Sequence, residues 1–140
     1  MQLSFEFPAD TAILEKIGEI MSDAGRGAGF SESEIYEIQL AVDEACTNTI
    51  THGLKKDPAR TFQLIISWKK DEIEIIIREH GEPFELKNLQ EPDLNSSIEN
   101  RQVGGLGIYI VQKLMDEVEF YNEDCIKILR MLKRVKTGQL

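Results

Sequence analysis

The sequence predicts an α+β fold: a two-layer α/β sandwich in which helices cover one face of a single sheet. Three observations carry this. Strand-like alternation opens the chain, two runs rich in β-branched residues occupy its middle, and a closing pair of short strands lies near its end. Apolar residues at three- and four-residue spacing separate these strands, the arrangement of one sheet packed against helices. With 140 residues, 41% of them hydrophobic, residues 1–140 are expected to form one domain around a single core.

Leu3, Phe5 and Phe7 alternate with Ser4 and Glu6 as a half-buried strand does, and Pro8 closes it. Asp10 is placed to cap a first helix, in which Ile13, Leu14, Ile17, Ile20, Met21 and Ala24 repeat on one face until the glycines of Gly25 to Gly29 end it. Ser31 and Glu34 form a capping-box pattern. From there Ile35, Ile38, Val42, Ala45 and Thr49 mark a second helix to about His52-Gly53. Leu54 to Arg60, charged and containing Asp57-Pro58, reads as a surface loop. Thr61 to Trp68 and Glu72 to Glu79 form an antiparallel hairpin across Lys69-Lys70-Asp71. Its inward residues are Phe62, Leu64, Ile66 and Trp68 on one strand and Ile73, Ile75 and Ile77 on the other.

Gly81 and Pro83 stop that second strand, which leaves Glu79 at a strand end where side chains commonly face a pocket. Glu85 to Val103 is polar and without period, long for a loop within a compact domain, and such loops are functional or disordered. Gly104-Gly105-Leu106-Gly107 ends it, and Ile108, Val111, Leu114 and Met115 mark a third helix. Glu117 to Tyr121 and Cys125 to Lys133 form the closing hairpin, with a tail from Lys136 to Leu140 that has little to bury.

Charge narrows the choice of partner. The formal net charge is −9, from 25 acidic and 16 basic residues, and no Lys/Arg block supplies the phosphate-neutralising surface that nucleic acid requires. An anionic ligand would therefore be held by backbone N–H groups, a helix N-terminus and a divalent cation. Cys46 and Cys125 are too few for a disulfide framework. No stretch approaches the ~20 apolar residues of a membrane helix, so a soluble cytoplasmic protein without a membrane partner is expected.

Within the second helix, Glu44 and Asn48 stand four residues apart, so their polar ends emerge from one face about one turn apart. Such a pair is either a solvated helix face with a local hydrogen bond or a site that positions a cation and a nucleophile. Asp43 points about 100° away around the helix. Gly104, Gly105 and Gly107 are either a hinge with close packing or a place where backbone N–H groups approach an anion. No Lys-Ser/Thr follows them, which excludes a Walker-type loop. His52 and His80 lack neighbours at zinc-ligand spacing.

Taken in order, Glu44-x-x-x-Asn48, Glu79-x-Gly81-x-Pro83-Phe84 and Gly104-Gly105-Leu106-Gly107 resemble the boxes of the GHKL ATPase superfamily. The likeness is to its small free-standing members, the bacterial anti-sigma-factor serine/threonine kinases, and extends over nearly the whole chain. It implies the Bergerat fold, with a mixed, mainly antiparallel sheet, and a histidine-kinase-like ATPase domain using ATP and Mg2+. Asn48 matches the magnesium-binding asparagine, and oxygen ligands suit that ion. Glu44 matches the general base, a role that contributes roughly 10²–10⁴-fold to a rate. Gly81 matches the turn glycine beside adenine, and Gly104, Gly105 and Gly107 match the lid hinge beside the phosphates. Arg101 is either a phosphate contact in a closed lid or a solvated loop residue.

Glu79 departs from the pattern, because the family has aspartate at the position that accepts a hydrogen bond from the adenine amine. Glutamate keeps the acceptor and displaces it by about 1.5 Å unless the side chain folds back. The implied partners are a sigma factor or other regulator, which is sequestered, and a STAS-type anti-sigma-factor antagonist, which is phosphorylated. Members of this family often pair as homodimers, and the apolar first strand and first helix are either the surface for such a pair or ordinary core. The alternative function is a non-catalytic, pseudo-kinase partner-switching module with weak or no ATP binding. The catalytic domain of a histidine kinase is disfavoured because no phosphoacceptor helices are present.

Overall fold

A computed structural model describes residues 1–80 and 105–136. Five strands form one sheet in the order β1-β2-β3-β5-β4, where β1 is Gln2–Pro8, β2 Thr61–Lys69, β3 Glu72–Glu79, β4 Glu117–Glu123 and β5 Ile126–Arg134. Every described pair of neighbouring strands is antiparallel. Helices α1 (Leu14–Ala28), α2 (Glu32–Asn48) and α3 (Gly105–Leu114) complete the α+β architecture.

The period-2 pattern of the strands sets the inward face. Phe5, Leu64, Ile77 and Leu129 form one cross-strand row, and Leu3, Ile66, Ile75 and Met131 the next. Leu64, Ile66, Ile75, Ile77 and Met131 are fully buried with Ile17, Met21, Ile35 and Ile38 of the helices, which places the core between sheet and helices. On the outer face charged side chains share the alternate positions with Gln63, Ile65, Ser67, Ile76, Ile128 and Leu132. There Arg130 bonds Glu74 at 2.6 Å and Glu119 at 3.0 Å across the β3-β5-β4 ladder.

The inward face of β5 carries a lysine at each end. Lys127 lies opposite Glu79, and Lys133 lies opposite Ile73. Lys133 is 2% exposed, and its Nζ donates to Glu37 Oε2 of α2 at 3.2 Å and to the carbonyl of Leu114, the last residue of α3, at 2.7 Å. A buried ammonium is tolerated because an acid and a helix C-terminal carbonyl both face it.

The Ser31 and Glu34 box forms as the sequence predicts. Ser31 Oγ accepts from Glu34 N at 3.2 Å, and Glu34 Oε1 accepts from Ser31 N at 3.0 Å, an arrangement worth roughly 1 kcal/mol. Asp10 caps as expected, but the turn it starts is a short 3₁₀ turn, Thr11–Ile13, that leads into α1.

The glycines after Ala24 do not end α1 at Gly25. The helix runs on to Ala28, and only Gly29, at φ 99°, takes the left-handed cap. Gly25 and Gly27 are spent on close packing: a Cβ would stand 2.9 Å from Ile35 Cγ1 at the first and 2.9 Å from Trp68 Nε1 at the second.

Candidate functional site

Helix α2 presents the pair that the sequence singles out. Ala41, Val42, Ala45 and Cys46 are buried against the core, and Glu44 and Asn48 are half-buried on the flank that α3 meets. Burial pushes the Cys46 thiol upward, with Asp43 adding to the shift, so that sulfur stays protonated and acts as core. Asp43 itself is exposed.

After Asn48 the helix widens into a π turn, Thr49–Gly53, in which Leu54 N donates to Thr49 O at 2.8 Å, five residues back. Such widened turns gather at functional sites. This one carries Gly53 beneath the end of β3.

Helix α3 brings Gly107 onto the pair. A Cβ at Gly107 would lie 2.8 Å from Asn48 Nδ2 and 3.1 Å from Glu44 Oε2, so the α3 backbone reaches both polar groups only because the side chain is missing. Asn48 Nδ2 is buried without a hydrogen-bond partner. A buried amide in that state costs about 1–3 kcal/mol, the signature of a group arranged for something the folded chain does not itself supply. Among the described residues no cluster of three or more His, Cys, Asp or Glu side chains forms a protein-only metal cage. Asn48 instead offers through its amide oxygen a single ligand of the kind that suits magnesium shared with phosphate, with the Glu44 carboxylate beside it. The donor set therefore fits that ion.

Across the site, Glu79 ends β3 at 4% exposure. Its Oε1 stands 3.4 Å from Lys127 Nζ, and its Oε2 is buried without a hydrogen-bond partner. Burial raises the affinity of this carboxyl for its proton, while Lys127, Thr49 and Arg60 oppose that shift without cancelling it. Arg60 also donates to the His80 carbonyl at 2.6 Å, tying the chain just past β3 to the β2 side.

The structure thus gathers Glu44, Asn48 and Gly107 at one place and Glu79 at the neighbouring strand end, and Gly105 begins α3. Gly81, Gly104, Arg101 and the polar stretch 85–103 lie outside the described residues. His52 is exposed in the π turn, where burial and then Lys55 and Lys56 depress its proton affinity, in keeping with a helix-end role.

A family model for the histidine kinase-like ATPase domain matches residues 7–133. The chain belongs to this family. Membership accounts for the order of the elements and implies that ATP is the nucleotide used.

Among curated relatives of this ATPase domain, the serine-protein kinase RsbW of Bacillus cereus is 26% identical over 99% of this chain and 88% of that protein. RsbW of Bacillus thuringiensis is 25% identical over the same shares. Two solved structures share the fold. The RsbU and RsbW domains of Rv1364c from Mycobacterium tuberculosis superpose with a TM-score of 0.67 at 12% identity, over 96% of this chain and 32% of that one. The SiaB–SiaC complex from Pseudomonas aeruginosa gives 0.65 at 17% identity, over 93% and 88%.

Two residues that lie against the Glu79 carboxylate are absent from the sequence prediction, Gly53 and Lys127. Gly53 reads as a helix terminator. Lys127 was findable by parity, because β5 alternates and a lysine in step with Leu129 and Met131 points inward, where it needs an acid.

Proposed function

We propose that this chain is an ATP-dependent protein serine/threonine kinase of the partner-switching type, acting in the cytoplasm. It sequesters a sigma factor or comparable regulator and phosphorylates a STAS-type antagonist. The observation that carries the proposal is the placement of Glu44 and Asn48 against Gly107, with an unpartnered acceptor on Glu79 nearby. Kinase naming of full-length relatives supports it.

In this scheme Glu79 accepts from the base amine. Asn48 would hold a magnesium ion through its amide oxygen, and the ion would offset charge on the phosphates. Glu44 takes the proton from the substrate serine hydroxyl as its oxygen bonds to the terminal phosphorus and the bond to the ADP oxygen breaks. Such transfer depends on positioning and charge stabilisation more than on covalent chemistry.

Phosphate transfer to the antagonist, compared between the wild type and Glu44→Gln, tests the scheme. A loss of roughly 10²-fold or more is expected, and equal rates would remove Glu44 from the base role. Asn48→Ala is expected to abolish magnesium-dependent nucleotide binding in calorimetry. A non-catalytic sequestration module is the alternative favoured by the Glu79–Lys127 pair, which half-satisfies that carboxylate with no nucleotide. Undetectable ATP binding by the wild type would select it.

A further inference from the structure

The carboxylate of Glu79 is held on two sides. Lys127 Nζ lies 3.4 Å from Oε1 from the neighbouring strand. From beneath, the π turn brings up Gly53, where a Cβ would stand 2.8 Å from Oε1 and 2.9 Å from Cδ, and would overlap Oε2 outright.

Backbone conformation does not demand glycine there. Among the described residues Gly29 is the glycine with a positive φ, so position 53 has dihedrals that an L-residue adopts. Open space is not the reason either, since the Gly53 Cα is buried. The remaining reason is the carboxylate lying on it. An aspartate at position 79 would end about 1.5 Å short of this turn, whereas glutamate must put its extra methylene somewhere.

We propose that Gly53 is a positioning residue for nucleotide recognition: its bare Cα gives the longer Glu79 side chain a place to fold back, and Lys127 holds the folded carboxylate there. The inference rests on Glu79 being the base acceptor. It makes glutamate at position 79 a working substitute whose fit depends on residue 53, and Oε2, buried and without a donor, is the acceptor on offer.

A cycle of Gly53→Ala, Glu79→Asp and the double variant tests this by ATP titration with magnesium and by thermal unfolding of the nucleotide-free protein. Gly53→Ala is expected to weaken ATP binding by at least about tenfold, since the added carbon displaces the carboxylate. The double variant is expected to match Glu79→Asp within about threefold, because the shorter acid clears the new methyl group. In thermal unfolding, Glu79→Asp should raise the midpoint in the Gly53→Ala background.

Binding by Gly53→Ala within about threefold of wild type, or a double variant weaker than Glu79→Asp by the factor that separates Gly53→Ala from wild type, would overturn the proposal. If Gly53→Ala does not fold, a double variant that folds supports it, and one that does not fold overturns it. Failure of both wild type and Glu79→Asp to bind ATP defeats the kinase reading instead, and the thermal midpoints alone then decide the role of Gly53.

Discussion

Gly107→Ala separates stability from function at the centre of the site. Residue 107 is the third of α3, where alanine gains up to about 1 kcal/mol over glycine in helix propensity, and less in the first turn. Against that gain, the new Cβ stands 2.8 Å from Asn48 Nδ2, about 0.6 Å inside ordinary contact, and 3.1 Å from Glu44 Oε2. Both obstructing atoms are the ends of rotatable side chains. Turning one of them off its rotamer costs about 0.5–1.5 kcal/mol. The two effects nearly cancel, so the net change in stability should stay within about 1 kcal/mol, a midpoint shift of no more than about 4 °C in a domain of this size.

The chemistry has no such compensation. Moving the carboxamide by about 0.6 Å is expected to cost roughly tenfold in transfer rate, since a misplacement of about 1 Å costs about 10²-fold. Thermal unfolding and single-turnover transfer on the same preparation supply both numbers. Wild-type transfer by a stable variant would mean that α3 does not rest on Asn48 during turnover. A midpoint loss above about 10 °C would mean that glycine is there for the fold.

Two further outcomes follow from buried charge. Lys133→Met removes the donor from the Leu114 carbonyl and the partner from Glu37. Glu37 keeps 31% of its side-chain surface, so water recovers part of the loss, and a cost of about 2 kcal/mol, or about 6–8 °C in thermal midpoint, is expected; a shift below about 2 °C would show that Lys133 is not the anchor of α3. For Glu79 the sign is that of a carboxyl raised in the folded state: the folded protein binds more protons than the unfolded one, so this group's contribution falls as pH rises from the ordinary glutamate range through the folded value. Glu79→Gln should flatten that slope and be the more stable protein near neutrality in denaturant titrations from about pH 5 to pH 8, and an unchanged slope would contradict the burial of this carboxyl.

The strands, the capping box and the core were legible because each is a local pattern with a single physical meaning. Leu64 and Ile66 alternate, Ser31 and Glu34 stand three apart, and the structure uses both as written. Glu44 and Asn48 were legible as a pair because helical spacing alone puts them together. What stayed hidden depended on distance in space. Gly25 and Gly27 look like helix breakers until Ile35 and Trp68 are seen to need their missing side chains. Gly53 is hidden for the same reason, its meaning lying in Glu79, 26 residues further along the chain. The π turn was hidden as well, because a helical period gives no sign that the last turn will widen.

The two lysines at the ends of β5 give that strand a mechanical meaning. Lys133 grips the last carbonyl of α3, and Gly107 lies seven residues, or about 10 Å, from that grip. Helix α3 is therefore a pointer pivoted at its far end, and a tilt of about 10° moves Gly107 by about 2 Å relative to Asn48. At the other end of the same strand, Lys127 braces Glu79. One strand thus serves as a common rail for the acceptor on one side and the glycine contact on the other. A displacement of β5 along its ladder with β3 reaches both at once, whereas a tilt of α3 about Leu114 moves the glycine alone.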